Sequence, residues 1–197
     1  KWSPPAYQDL RASEVKLLTS HDGGALLRVI AGEVAGHQGP GRTQTPISLI
    51  HATISPGAEL RLPWNPAYNA LVYTLSGKGF MGNEKRPVHM GQLTVFEDGD
   101  VLVMRAADIQ ESRSPYLDVF ILGGEPIRES VAWMGPFVMN TKREVLQAFE
   151  DFQKGVLGVV PAERNKLIRS SEDGSHKLSG RHDVLDVHNA PTTMQEG

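Results

Sequence analysis

The chain has 197 residues, 40% of them hydrophobic and 22% charged, which suits a globular domain with a sizeable core and excludes a wholly disordered chain. Cysteine is absent, so disulfides, thiol catalysis and thiolate metal sites are excluded, and any metal must be held by His, Asp or Glu. The net charge of -3, with no cluster of Lys and Arg among aromatics, gives direct nucleic-acid binding little support, and no apolar run approaches the roughly 20 residues of a membrane span.

Residues 1–13, with Pro4-Pro5 followed by Tyr7-Gln8-Asp9-Leu10, read as an extended linker. The chain begins at Lys1 rather than Met, which suits a processed product or a piece of a longer protein. No signal-peptide apolar stretch opens it, so a soluble protein of the cytoplasm or nucleus is the expectation.

From Glu14 onward short apolar runs alternate with turn residues, the pattern of an antiparallel all-β sandwich or barrel. Val15–Leu18 and Ala25–Ile30 flank the Asp22-Gly23-Gly24 turn, and Gly36-His37-Gln38-Gly39-Pro40-Gly41 marks an irregular loop. Ile47–Ile54, Glu59–Leu62, Asn69–Leu75, Gln92–Phe96, Val101–Arg105 and Tyr116–Leu122 complete the expected strands. Many short strands with close turns suggest a closed sheet, which removes aggregation-prone edges.

The last strand is expected to stop at Gly123-Gly124, a pair able to adopt positive φ, with Pro126 blocking any continuation of the ladder. After Gly135-Pro136, the run Thr141-Lys142-Arg143-Glu144 has capping-box spacing. Val145, Leu146, Phe149 and Phe152 then form an apolar stripe, and Gly155 is placed to end the helix, which spans 141–154. Beyond Pro161, five Lys or Arg, six Asp or Glu and three His lie among polar residues, so 161–197 is expected to be a mostly disordered tail with a weak helical turn near Ala162–Ile168.

The stretch Gly123-Gly124-Glu125-Pro126, followed by Gly135-Pro136-Phe137-Val138-Met139-Asn140-Thr141 and the helix, closely resembles the C-terminal segment of the pirin family, and the Pro4-Pro5…Tyr7-Gln8 stretch is similar to the linker joining the two pirin halves. The resemblance implies a double-stranded β-helix of the cupin or jelly-roll type for residues 14–160, with one C-terminal α-helix. It also implies a second, N-terminal cupin barrel as partner.

Residues Pro63–Gly77 look like the first motif of a cupin barrel. In metal-binding cupins that motif places His-x-His and then a carboxylate so that strand periodicity converges them on one first-row metal. On this frame the two His positions are Pro63 and Asn65 and the acid position is Asn69, while the second motif, from Gly91 through Gly99-Asp100, brings Met104 and Ala106 to its ligand positions. None of these is a hard-metal ligand. No catalytic, cofactor-binding or metal residue is therefore expected in this chain, and by resemblance iron is expected in the N-terminal barrel.

Other candidates have plain readings. His51, on an alternating strand, and His89, near a turn, read as surface or satisfied structural histidines; His37 in the glycine-rich loop lacks a spaced partner. His176, His182 and His188 recur every six residues, a spacing that suits neither a helix face nor a strand face. Glu97-Asp98-Gly99-Asp100 reads as a hairpin turn rather than an acid–base pair, and Ser55-Pro56-Gly57 as a turn, with no nucleophile elbow present. Trp64 and Tyr68 also stand out: Trp64, between Pro63 and Pro66, reads as core filling, as a lid over the barrel mouth or as an interface residue.

Three functions compete. The first is the inactive, metal-free half of a pirin-like protein whose family activity resembles quercetin 2,3-dioxygenase, transcriptional co-regulation, or both. The second is a standalone, non-enzymatic module for protein interaction or small-ligand binding, and the third an enzyme with a new site.

Overall fold

The computed structural model describes residues 7–111, 113–157 and 183–184. The described residues fall into two units, one carrying residues 8–126 with 183–184, the other Tyr7 with residues 127–157.

The first unit contains twelve consecutive strands: β1 (Lys16–Thr19), β2 (Ala25–Ala31), β3 (Glu33–Val34), β4 (His37–Gln38), β5 (Ile47–Ile54), β6 (Glu59–Pro63), β7 (Asn69–Ser76), β8 (Lys78–Met81), β9 (Arg86–His89), β10 (Leu93–Phe96), β11 (Val101–Ala106) and β12 (Leu117–Gly124). The larger sheet runs β10-β7-β12-β5-β2-β1, with Asp183–Val184 added in parallel beside β1. The smaller sheet runs β6-β11-β8-β9. This is the all-β sandwich that the alternation of short strands and turns implies, of the jelly-roll type that the resemblance implies.

Strand periodicity builds the core. On β5, Ser48, Ile50, Ala52 and Ile54 point inward and are buried, while Leu49, His51 and Thr53 take the outer face. Leu60, Leu62, Met81, Leu102 and Met104 from the smaller sheet meet Ile50, Ile54, Val72, Val119 and Ile121 of the larger one in a single apolar cluster. Each such fully buried aliphatic side chain stabilises the fold by about 1.5–3 kcal/mol relative to exposure.

Three local expectations need correction. The strand does not stop at Leu122 but runs on through Gly123 and Gly124: both pair with β5 on one side and β7 on the other, and neither has positive φ. The physical reason is close approach, since a Cβ on Gly123 would collide with the Asn69 carbonyl and the Trp64 ring. Residues 78–89, where no strand is expected, form the β8–β9 hairpin of the smaller sheet. Glu97-Asp98-Gly99-Asp100 is not a hairpin turn, because β10 lies in one sheet and β11 in the other; it carries the chain across the sandwich.

In the second unit, β13 (Ala132–Met134) and β14 (Phe137–Met139) form a hairpin that packs against α1 (Lys142–Gln153). The capping box is present: Thr141 Oγ1 accepts from the Glu144 backbone N–H at 3.2 Å, and Glu144 Oε2 accepts from the Thr141 N–H at 2.8 Å. Gly155, at φ +69°, ends the helix in a Schellman arrangement in which its N–H donates to Phe152 and that of Val156 to Asp151. The Phe137 ring meets Phe149 and Phe152 edge-on at 4.9 and 6.0 Å. Val145 and Ala148 are buried, whereas Leu146 and Phe152 of the expected stripe are largely exposed. The polar tail, with its expected helical turn and its three histidines, lies outside the described residues apart from Asp183–Val184.

Candidate functional site

The chain leaves β6 at Pro63, turns through Trp64-Asn65-Pro66 and enters β7 at Asn69. Three bonds set this turn: the Trp64 N–H donates to the Asp100 carbonyl at 2.7 Å, Asn65 Oδ1 accepts from the Ala67 N–H at 2.9 Å, and the Asn65 carbonyl accepts from the Tyr68 N–H at 2.9 Å. The Asn65 side-chain oxygen is thus engaged in shaping an Asx turn. Pro63 and Asn69 are exposed, while Met104 and Ala106 are fully buried (0% exposed) in the apolar cluster, Met104 opposite Met81 on β8. The five positions that the cupin frame assigns to metal ligands therefore offer an imino acid, two amides, a thioether in an apolar core and a methyl group. Iron does not fit this set, and among the described residues no group of three or more His, Asp or Glu stands elsewhere in its place.

Beside this turn lies a pocket of about 880 Å³. Its walls come from the segment linking β2 to β5, the first residues of β5, and the Pro63–Tyr68 turn. Glu33, Gln38, Arg42, Ser48, Trp64 and Tyr68 supply its chemistry. Trp64 is 8% exposed; its ring belongs to the core cluster, and it also lines the pocket. Its Nε1–H is buried without an acceptor among the described residues.

The loop wall is tightly constrained. Gly41 donates to the Ile30 carbonyl and Gly39 to the Gly32 carbonyl, both at 2.8 Å, and a Cβ at Gly32, Gly39 or Gly41 would overlap neighbouring atoms. Gln8 clamps the same loop from outside: its Nε2 donates to the Pro40 carbonyl at 2.8 Å, and its Oε1 accepts from the Arg42 N–H at 2.9 Å. The extended segment read as a linker thus ends in contact with the pocket wall.

A second polar cluster lies on the outer face of the larger sheet. His51 Nδ1 is 3.3 Å from Arg28 Nη1, and its Nε2 is 3.4 Å from Asp118 Oδ1. Thr53 donates to Asp118 Oδ1 at 2.7 Å and Ser76 to Oδ2 at 3.2 Å, while Phe120 packs against the imidazole at 5.4 Å. Burial holds the His51 pKa below its ordinary value, the Arg28 charge lowers it further, and Asp118 opposes both. The bonding pattern suits a neutral ring with its proton on Nε2. His51 is the satisfied structural histidine its strand position implies, but Arg28 and Asp118 come from neighbouring strands, and only the pairing Arg28↔His51 and Asp118↔Thr53 brings them there.

The remaining candidates stay apart. His37 bonds the Ala35 carbonyl at 2.9 Å and His89 the Met90 carbonyl at 3.1 Å, and Ser55 serves the turn before Ala58. Asp100 contributes its backbone carbonyl, which accepts from the Trp64 N–H.

Comparison with known proteins agrees with this architecture. The family model for the pirin C-terminal cupin domain matches residues 49–158. A pirin-like protein of Solanum lycopersicum is 32% identical over 161 residues, covering 80% of this chain and 52% of its own length. A putative quercetin 2,3-dioxygenase of Pseudomonas aeruginosa is 32% identical over 157 residues, covering 79% and 51%. The crystal structure of a quercetin 2,3-dioxygenase from Acinetobacter baumannii superposes with a TM-score of 0.70 at 27% identity, over 79% of this chain and 52% of that one. The chain spans about half the length of the curated relatives it matches.

Proposed function

The chain belongs to the pirin family, whose C-terminal cupin domain it carries, and from that premise we propose that it is the metal-free half of a two-barrel protein, supporting an N-terminal barrel that holds non-haem iron. The observation that carries this reading is the set of residues at the five ligand positions, Pro63, Asn65, Asn69, Met104 and Ala106, which keeps the strand frame and supplies no ligand suited to iron. Residues 1–13 are then the linker to that barrel, 14–160 the C-terminal domain with its helix, and 161–197 a polar tail.

The outer face of the larger sheet supports the same reading. Val95, Leu71, Leu122 and Leu49 stand in one row across four strands, with Leu93, Tyr73 and Phe120 in the next, and Tyr73, Leu93 and Val95 are exposed. A contiguous apolar face of this kind marks an interaction surface. We assign it to the N-terminal barrel, since the matched relatives are about twice as long as the segment they share with this chain.

The name of the Pseudomonas aeruginosa relative directs the proposal for the whole protein toward quercetin 2,3-dioxygenase activity. A transcriptional co-regulator role, in cytoplasm or nucleus, is the other activity the resemblance implies, through a protein partner rather than direct nucleic-acid contact.

The 197-residue chain, loaded anaerobically with ferrous iron and desalted, is expected to retain far less than one equivalent and to consume no oxygen with a flavonol. Stoichiometric iron with turnover would overturn the reading. The message upstream of Lys1 is expected to encode, in frame, a His-x-His and a later His-x-Glu; a natural start codon close to Lys1 would favour the standalone module instead.

A further inference from the structure

We propose that the pocket between the Gly32–Thr43 segment and the Trp64 turn binds a small monocarboxylate carrying a hydrogen-bond donor, with Arg42 holding the carboxylate and Glu33 the donor group. The pocket volume, about 880 Å³, lies within the range of sites that enclose small organic molecules.

The charges lining the pocket select the ligand. Arg42 is the only cation and Glu33 the only anion among the lining residues, and neither side chain has an ion pair or hydrogen bond with any described residue. An unpaired guanidinium presents a planar fork that matches a carboxylate. A pocket lined by one Arg and one Glu is poorly suited to phosphate, whose second charge would face the Glu33 carboxylate without a second cation to offset it. Glu33 instead favours a ligand hydroxyl or ammonium.

The neutral lining agrees. Ser48, at 6% exposure one of only two buried polar side chains among the described residues, contributes a hydroxyl to the inner wall. Trp64 lines the same pocket with an indole N–H that finds no acceptor among the described residues, the kind of buried donor that normally has a partner.

The site is also built rather than incidental. Three glycines that tolerate no Cβ shape its wall, and the Gln8 amide bonds on both sides of Gly41 fix the backbone from which Arg42 projects. Rigid support of this kind lowers the ordering cost of binding. Gln8 is accordingly a positioning residue, acting through Arg42.

The test is isothermal titration of the full 197-residue chain with glycerate, gluconate and L-serine, with inorganic phosphate as the anion control. Saturable binding of at least one carboxylate, tighter than that of phosphate, is expected. Arg42→Ala should weaken it roughly tenfold to a hundredfold, the loss of one charged hydrogen-bonding partner. Glu33→Gln should weaken L-serine more than glycerate if the donor is an ammonium, and the two alike if it is a hydroxyl. Gln8→Ala should weaken binding without changing the unfolding midpoint of the ligand-free chain by more than a degree or so. Absence of saturable carboxylate binding would overturn the proposal, as would equal affinity in Arg42→Ala or preference for phosphate. Circular dichroism of each variant keeps a folding defect from passing as lost binding.

Discussion

The indole of Trp64 packs so closely on the backbone of Gly123 that a single added methyl would overlap its Cζ2 atom. The turn that carries the would-be ligand positions Pro63 and Asn65 is thereby locked to the central strand of the larger sheet.

Gly123→Ala tests that lock. The new Cβ meets both the Asn69 carbonyl and the Trp64 ring, and the backbone atom has no room to yield, so a loss of about 1–3 kcal/mol is expected in urea unfolding, as for overpacking elsewhere. Gly99→Ala, where nothing lies within 4 Å, is the control and should stay within about 0.5 kcal/mol of the parent.

Truncation of the ring gives the complementary defect. Trp64→Ala empties space next to Gly123 and the pocket together, and should cost about 3–5 kcal/mol, measured by the same unfolding titration.

His51 should report on pH. Its folded pKa lies below the ordinary 6.5, so above that value both folded and unfolded forms are neutral and the residue adds no pH dependence. As pH falls below 6.5 the unfolded chain takes up the proton first, and stability declines until the lower folded pKa is passed. The difference in stability between the parent and His51→Gln should therefore be flat above pH 7 and shift against the parent as the solution is acidified. A ring titration followed by NMR should give a midpoint below 6.5; a midpoint at or above it would contradict the assignment of burial as the governing cause.

The helix terminus is separable from all of this. Thr141→Ala removes the side-chain half of the capping box and should destabilise α1 by about 1 kcal/mol. Amide exchange along residues 142–146 should quicken, while exchange in β5 and β12 stays unchanged.

Much of this architecture is legible in the amino-acid order because it rests on local rules. Alternation alone places Ile47–Ile54, with its inner and outer faces, and Thr141 through Gly155 spells out a capped helix from end to end. Gly123-Gly124 misleads because a glycine needed for positive φ and one needed for close contact look the same in a sequence; only neighbours distant in the chain, Asn69 and Trp64 at Gly123 and Pro46 and Ile47 at Gly124, separate them. The acidic run at 97–100 misleads for a related reason, since a turn's composition does not say whether it joins paired strands or crosses between sheets. The pocket and the Arg28–His51–Asp118 cluster are products of register, and register is fixed by long-range pairing that no local pattern records.

β12 pairs with β5 along its full length and with β7 from Asp118 to Gly124, yet it is made later than both. During synthesis the two earlier strands must wait with a vacant slot between them until Gly124 has cleared the ribosome, and the large sheet closes only when that final piece slides home. Assembly dominated by such distant pairings is slow, on the order of milliseconds to seconds. A nascent chain halted before residue 117 would display two raw strand edges, and it is at that stage, rather than in the finished fold, that chaperones would find this protein.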